Sequence, residues 1–259
     1  MTNTFPVTSS SLPSHLAQAL QLAMQQGIVL DAAAWPALTN AQILAVQQQL
    51  ARIWVGAAVP LYWKSGGPAR TQPLGHAPLP IARVQNSPAA FQTTPFAMRG
   101  IEAEIALRLA RDISADEALH LQDGDAAGLI DAMAVSVEIV NSRWMQQLQA
   151  PDSLKAADSL CHGALALGEW QPYRTVDWAV QRCTVSVGQQ TLVERQGSHS
   201  LQDPAWLLPQ WLRYVTQHYG AVPAGTVVTT GSWCGLLLAD AGDTVTATFD
   251  DIGVVTVML

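Results

Sequence analysis

The chain has 259 residues, of which 49% are apolar and only 13% charged, and it carries a formal net charge of −7. That length can bury a real core as one large domain or two smaller ones, and the acidic balance argues against nucleic acid or an anionic membrane as partner. Cys161, Cys183 and Cys234 show neither metal-ligand spacing nor an even-numbered disulfide framework, Met1-Thr2-Asn3-Thr4 lacks the basic and apolar regions of a secretion signal, and no apolar run approaches a membrane span. A cytoplasmic protein with reduced thiols is expected.

Residues 1–58 read as an N-terminal helical region. An amphipathic helix opens around Ser14-His15-Leu16 and ends near Gly27. A second starts at Thr39-Asn40-Ala41-Gln42, with Ile43, Leu44, Val46, Leu50 and Ile53 at helical spacing. Residues 59–95 change in texture: prolines at 60, 68, 73, 78, 80, 88 and 95, with Gly66, Gly67 and Gly75, describe a loop-rich connector. It contributes Lys64, and it holds His76, a loop histidine able to titrate near neutrality.

Residues 96–259 read as a β-rich core, one integrated unit with the connector. In Gly100-Ile101-Glu102-Ala103-Glu104-Ile105-Ala106-Leu107, strand geometry turns Glu102 and Glu104 to one face and Ile101, Ala103, Ile105 and Leu107 to the other. Glu138 sits in the similar run Val135-Ser136-Val137-Glu138-Ile139-Val140. These glutamates either lie on solvated strand faces or share a cation. Because their neighbours Ala106, Ser136 and Val140 are not surface-like and burying bare carboxylates is costly, a hard divalent metal is the economical single partner.

Further along, a short helix is predicted at Asp116–His120, and a segment near Asp125–Met133 leads into the Glu138 strand. Strands follow at Ala164–Leu167, Ala179–Val187 and Gln190–Arg195, then a helix from Asp203 to about Tyr219, then strands at Thr226–Thr229, Gly235–Leu238, Asp243–Phe249 and Gly253–Val257. The fold class is α+β: a helical N-terminal region before a mixed β core. Asp158 either caps a turn or orients a catalytic water or lysine. His162 reads as a structural histidine, since no second histidine lies at ligand spacing. Thr229-Thr230-Gly231-Ser232 is either a turn or a place where backbone N–H and hydroxyl groups approach an anion. Lys64 is either an exposed loop lysine or an ammonium that binds a substrate carboxylate, or shuttles a proton once its pKa is lowered.

Taken in order, these segments resemble the fumarylacetoacetate hydrolase superfamily, in its 2-keto-4-pentenoate hydratase and 4-oxalocrotonate decarboxylase branch. Ile101–Leu107 with Arg111-Asp112-Ile113 resembles that branch's "IEAEIALVL…RDL"; Glu138–Arg143 resembles "EVVGSR"; Ala157-Asp158-Ser159 with Gly163 and Gly168 resembles "ADN…G…G"; Thr230-Gly231-Ser232 with Ala241-Gly242-Asp243 resembles "TG…AGD". The resemblance implies a mixed β-roll that holds Mg²⁺ or Mn²⁺ through Glu102, Glu104 and Glu138. It implies Lys64, Asp158 and His76 as candidate catalytic groups, the last in place of a missing aspartate, and Thr230, Gly231, Ser232 and Ser159 as substrate-binding groups.

The resemblance further implies a homo-oligomeric hydratase that adds water to a 2-hydroxy-2,4-dienoate in aromatic or related catabolism, with room for a complex with another pathway enzyme. Decarboxylation of a 2-oxo-3-enedioate and a catalytically degenerate oxo-acid-binding subunit are the alternatives; hydrolytic cleavage of an acylpyruvate ranks below them, because hydrolases of the superfamily usually carry a lysine about where Asp158 sits. The chain departs from the branch at Leu74, where "QPDFG" has become Gln72-Pro73-Leu74-Gly75-His76; at Gln202-Asp203-Pro204, which stands for "GHP"; and at Tyr62-Trp63-Lys64-Ser65-Gly66, which stands for "GRKxG". Leu74 cannot move a proton, so the metal site is the better supported part of the machinery.

Overall fold

Helices α1 (Leu12–Gln26) and α2 (Asn40–Val55) begin the computed structural model, which describes residues 11–122 and 124–259. The first ten residues of the predicted helical region, including Met1–Thr4, lie outside the described residues. Pro13 sits in the first turn of α1, where its missing N–H costs nothing, and Gly27 ends the helix in a left-handed conformation. Thr39 and Gln42 form a reciprocal capping box on α2. The apolar stripes of the two helices bury Leu16, Leu20, Val46 and Leu50 in a cluster that also takes in Trp144, Leu154 and Ala157.

The predicted connector contains more sheet than its composition suggested. It carries β1 (Tyr62–Gly66), β2 (Gly75–Pro78), β3 (Val84–Asn86) and β4 (Ala89–Ala90). Each is short and takes its pairing from strands distant in sequence or from a neighbouring short strand, so proline and glycine content hid it. β2 is an edge strand, a position that tolerates Pro78.

The remaining elements are β5 (Gly100–Leu109), α3 (Ala115–His120), β6 (Ile130–Val140), α4 (Asp152–Ala157), β7 (His162–Leu167), β8 (Gln171–Pro172), β9 (Arg182–Val187), β10 (Gln190–Gln196), α5 (Leu208–Tyr219), β11 (Val227–Thr229), β12 (Leu237–Leu238), β13 (Thr244–Phe249) and β14 (Gly253–Met258). The strand predicted from Ala179 starts only at Arg182, and the one predicted from Gly235 pairs only at Leu237 and Leu238. The predicted helix at Asp203 opens as a 3-10 turn, Pro204–Leu207, before α5.

Among the described residues, nine strands form a mixed sheet in the order β2-β1-β11-β5-β6-β7-β3, with β12 on β5 and β8 on β6; five more form a second sheet, β10-β9-β13-β14-β4. β13 and β14 pack across β6. The main core lies between the sheets, where Ile101, Ala103, Ile105, Val135, Val137 and Ile139 meet Val185, Val245, Ala247, Val255 and Val257. The fold is α+β, as read from the sequence.

The long antiparallel pair β5–β6 positions the site. Its register places Ile101 opposite Ile139, Ala103 opposite Val137 and Ile105 opposite Val135, all on the core face. By the period of two, the other face carries Glu102 opposite Glu138 and Glu104 opposite Ser136. Ala106 continues that face into a small apolar cluster with Leu79, Leu165, Leu167 and Val227, which seals one end of it.

Candidate metal centre

Glu102, Glu104 and Glu138 can each offer a carboxylate oxygen such that all three lie within 4.8 Å of one another. Glu104 is 2% exposed and Glu138 fully buried, so the solvated-face reading does not describe them. Glu138 and Glu104 each have a defined set of partners. On Glu138, Oε1 receives the Lys64 ammonium at 2.7 Å and lies 2.9 Å from His162 Nδ1. Its second oxygen, Oε2, is buried without a partner among the described residues. On Glu104, Oε2 accepts from the Thr229 hydroxyl and from the Gly231 N–H at 3.0 Å. Ser136 Oγ lies 3.0 Å from Thr229 Oγ1 and can donate to it, which leaves the threonine proton for Glu104. The orphaned Glu138 oxygen and the convergence of hard oxygen donors fit a divalent cation of the Mg²⁺ or Mn²⁺ class.

Sheet register explains why these groups meet. Lys64 on β1 stands beside Thr229 on β11, and Thr229 stands opposite Ala106 on β5. One row across the sheet therefore brings the ammonium and the hydroxyl next to the glutamate face.

Electrostatics follow from burial and proximity. Burial raises Glu102 to about 7 against the opposing pull of Lys64, and burial together with the neighbouring carboxylates raises Glu104 to about 8. Burial also works against Glu138, but Lys64 and His162 outweigh it and hold this carboxyl below its ordinary value. For Lys64, burial opposes the charge while Glu138, Glu102 and Glu104 more than restore it and push the pKa up. Of the two readings of Lys64 as a functional group, this favours the charged ammonium in the metal-free protein over a lysine of lowered pKa.

Asp158 does not open onto the cup. It is 1% exposed and accepts from Arg143 through both carboxylate oxygens, Oδ1 from the guanidinium Nε and Oδ2 from the backbone N–H at 3.1 Å. Burial raises it to about 6 despite Arg143. The same guanidinium donates to the Asp158 carbonyl at 2.6 Å and to the His162 carbonyl. Between those two carbonyls the chain runs through three successive left-handed residues, Ser159 (φ 46°), Leu160 (φ 55°) and Cys161 (φ 60°). Non-glycine residues enter this region at a cost, so Arg143 and Asp158 act as a clamp on a strained turn. The turn presents the Leu160 carbonyl to Lys64 Nζ at 3.3 Å.

A cavity of about 360 Å³ opens over the glutamates, lined by Lys64, Glu102, Glu104, Leu160, Gly231 and Ser232 among others. Of the predicted binding groups, Gly231 and Ser232 therefore line it. The Thr230 hydroxyl instead donates to the Ile105 carbonyl at 2.7 Å, and Ser159 is buried with its hydroxyl unpartnered among the described residues. His76 stands apart, in a neighbouring cleft: its Nδ1 lies 2.8 Å from Ser65 Oγ, its ring packs on Tyr214, and burial lowers its pKa to about 4. Sequence reasoning missed Ser136, Leu160 and Arg143 as site groups, included Thr229 only as part of the Thr229–Ser232 segment, and read His162 as structural. Thr229 was readable in principle, because on a strand it shares a face with Gly231 rather than with Thr230.

Comparison with known proteins places the fold. A family model described as the fumarylacetoacetate (FAA) hydrolase C-terminal domain matches residues 65–258. No curated protein sequence matches the chain. Among solved structures, 4-oxalocrotonate decarboxylase from Pseudomonas putida G7, complexed with magnesium and adipate, is similar at 17% identity with a TM-score of 0.83, over 98% of this chain and 99% of that one. A 2-hydroxyhepta-2,4-diene-1,7-dioate isomerase from Mycobacterium marinum is similar at 15% identity and TM-score 0.56, over 78% and 75% of the two chains. Fumarylpyruvate hydrolase from Pseudomonas aeruginosa, in complex with Mn²⁺ and pyruvate, follows at 13% identity and TM-score 0.54, over 76% and 88%.

Proposed function

Since the chain belongs to the fumarylacetoacetate hydrolase family, we propose that its glutamate cup is the active site of a divalent-metal-dependent hydratase that acts on a 2-hydroxy-2,4-dienoate. The observation that carries this reading is the convergence of three carboxylates within 4.8 Å, with the Lys64 ammonium beside them on a substrate-sized cavity. Glu102, Glu104 and Glu138 would hold Mg²⁺ or Mn²⁺. When bound, such an ion supplies Lewis acidity that stabilises enolate charge beside a 2-oxo group.

The protein's own groups would bind and orient the substrate while these protons move. As the 2-hydroxyl becomes a ketone it loses its proton and C5 gains one; water then delivers hydroxide to C4 and a proton to C3, giving a 4-hydroxy-2-oxo acid. Lys64, kept protonated by its carboxylate neighbours, would pair with the substrate carboxylate or donate toward the enolate oxygen. Gly231, whose φ of 100° suits glycine, brings backbone close to the cavity, and Ser232 adds a hydroxyl to the same wall. Asp158 would serve as a positioning residue through Arg143.

Decay of the ultraviolet band of 2-hydroxypenta-2,4-dienoate in the presence of protein and Mg²⁺, abolished by chelation, tests the reading. An unchanged band under saturating metal would overturn it.

A second reading, decarboxylation of a 2-oxo-3-enedioate, is favoured by one observation. The overlay with the decarboxylase takes in 98% of this chain, hence the N-terminal helices, whereas the isomerase and hydrolase overlays cover 78% and 76%. Carbon dioxide release from 2-oxo-3-hexenedioate distinguishes the two. We further place the protein in the cytoplasm as a homo-oligomer in aromatic or related catabolism. The buried free thiols support the cytoplasmic placement. Among the described residues no helix is long and apolar enough to cross a membrane.

A further inference from the structure

Beside the glutamate cup lies a second, larger cleft of about 810 Å³, against about 360 Å³ for the cup cavity itself. Glu102 and Leu160 line both, so the two spaces meet at one edge of the cup. The volume lies in the range that accommodates a drug-sized ligand, far beyond what a terminal vinyl group fills.

The chemistry of its walls is specific. Leu74, Val140, Leu148, Leu160 and Leu236 supply apolar surface. Among the described residues of the lining, Lys155 is the single cation, and it is already engaged: Nζ lies 2.9 Å from Asp152 Oδ1 and donates to the Leu148 carbonyl at 2.9 Å. Glu102 contributes a further carboxylate at the boundary with the cup. A carboxylate entering this cleft would shed water, meet no unengaged cationic side chain, and approach two acidic ones. A saturated or aromatic chain would lose nothing and would displace water from apolar walls.

We propose that this cleft is the subsite for an uncharged, apolar tail, and that the protein selects 2-oxo acids that extend as hydrocarbon beyond C4 over those ending in a second carboxylate. This rests on the reading of the cup as a 2-oxo acid site and deepens it. Leu74 takes on a meaning here: it is part of the apolar wall of the tail subsite.

The test is calorimetric titration of the full chain, in saturating Mg²⁺, with the non-reacting ligands pyruvate, 2-oxohexanoate and 2-oxoadipate. The last two share a chain of six carbons and differ in whether it ends in a methyl or a carboxylate. 2-Oxohexanoate is expected to bind roughly tenfold or more tightly than either of the others, in line with burial of three further carbons. Asp152→Asn, at a fully exposed position, frees the lysine charge and is expected to narrow the gap between 2-oxohexanoate and 2-oxoadipate. Leu236→Asp is expected to erase the advantage of 2-oxohexanoate over pyruvate. If wild-type protein binds pyruvate but takes 2-oxoadipate as tightly as 2-oxohexanoate, or more so, the tail inference fails while the cup reading stands. If none of the three binds, both fail.

Discussion

Lys64 Nζ reaches Glu138 Oε1 at 2.7 Å across two intervening strands, because β11 and β5 separate β1 from β6 in the sheet. The contact closes the cup laterally: its cation comes from one side of the sheet face and its most buried carboxylate from the other. In the metal-free protein the lysine occupies the electrostatic role that a divalent ion would share.

Replacing Lys64 with methionine should therefore be felt first in the absence of metal. Glu138 would be left buried without its ammonium, a loss on the order of 3–5 kcal/mol for a broken buried pair. Thermal unfolding should show a large drop in Tm for Lys64→Met in chelator and partial recovery in excess Mg²⁺. Equal drops with and without metal would contradict the shared role.

Glu104→Gln should separate folding from metal binding. The carboxyl is fully buried and raised to about 8, so the neutral amide costs the apo protein little. Calorimetry should show Mg²⁺ and Mn²⁺ affinity reduced by about a hundredfold or more, equivalent to at least about 2.7 kcal/mol, with the Tm of the metal-free protein kept or raised.

The same carboxyls set a pH dependence with a definite sign. From an ordinary value of 4.5, Glu102 is raised to about 7 and Glu104 to about 8. A raised folded-state pKa means that the folded protein holds protons the unfolded chain has released. This contribution to stability is full below 4.5 and is lost as pH climbs through about 7 and about 8. Apo protein should lose Tm across that window, metal affinity should rise across it, and metal binding near neutrality should release protons detectable as a buffer-dependent calorimetric heat.

His76 should prove dispensable for proton transfer. It lies outside the cup cavity, and burial brings it from 6.5 to about 4. His76→Ala is expected to leave the shape of the pH–rate profile unaltered, while a lost limb in that profile would restore it as a base. Being neutral in the fold, it adds stability that is full above 6.5 and fades as pH falls toward about 4.

Arg143→Met should cost on the order of 3–5 kcal/mol, because Asp158 would stay buried without its cation. The clamp holds the turn that carries Leu160, so amide exchange at residues 159–161 is expected to accelerate more than exchange in β13 and β14. Uniform acceleration would identify Arg143 as a general stability residue.

The parts of this arrangement that obey a local period were legible in the sequence. Alternation in Gly100–Leu109 placed Glu102 and Glu104 on one face with Ile101, Ala103 and Ile105 on the other, and the register of β5 with β6 has them so. Whether Glu138 lay opposite Glu102 was not legible, because pairing is decided by the sheet as a whole. β1 and β2 were hidden for a related reason: Trp63-Lys64-Ser65 becomes a strand by pairing with Val228 and Thr229 far along the chain. The turn at Ser159–Cys161 carried no signal, since residues with no intrinsic taste for positive φ are forced there by Arg143. Asp158 was visible as a turn cap or an orienting carboxylate, but the partner that defines its work was not.

Arg143 and Trp144 are consecutive, yet they serve different parts of the molecule. Arg143 grips the turn behind the cup, while Trp144 is buried in the cluster built by α1 and α2 and donates from Nε1 to the Leu154 carbonyl. Leu30, just beyond α1, donates its N–H to the Arg143 carbonyl and accepts from the Met145 N–H, both at 2.8 Å. The N-terminal helices supply no carboxylate, but they form a mechanical linkage to the residue that keeps Leu160 at the boundary between the cup and the tail cleft. Loosening or truncation of that helical pair would thus be transmitted to the turn that carries Leu160, and with it to ligand discrimination.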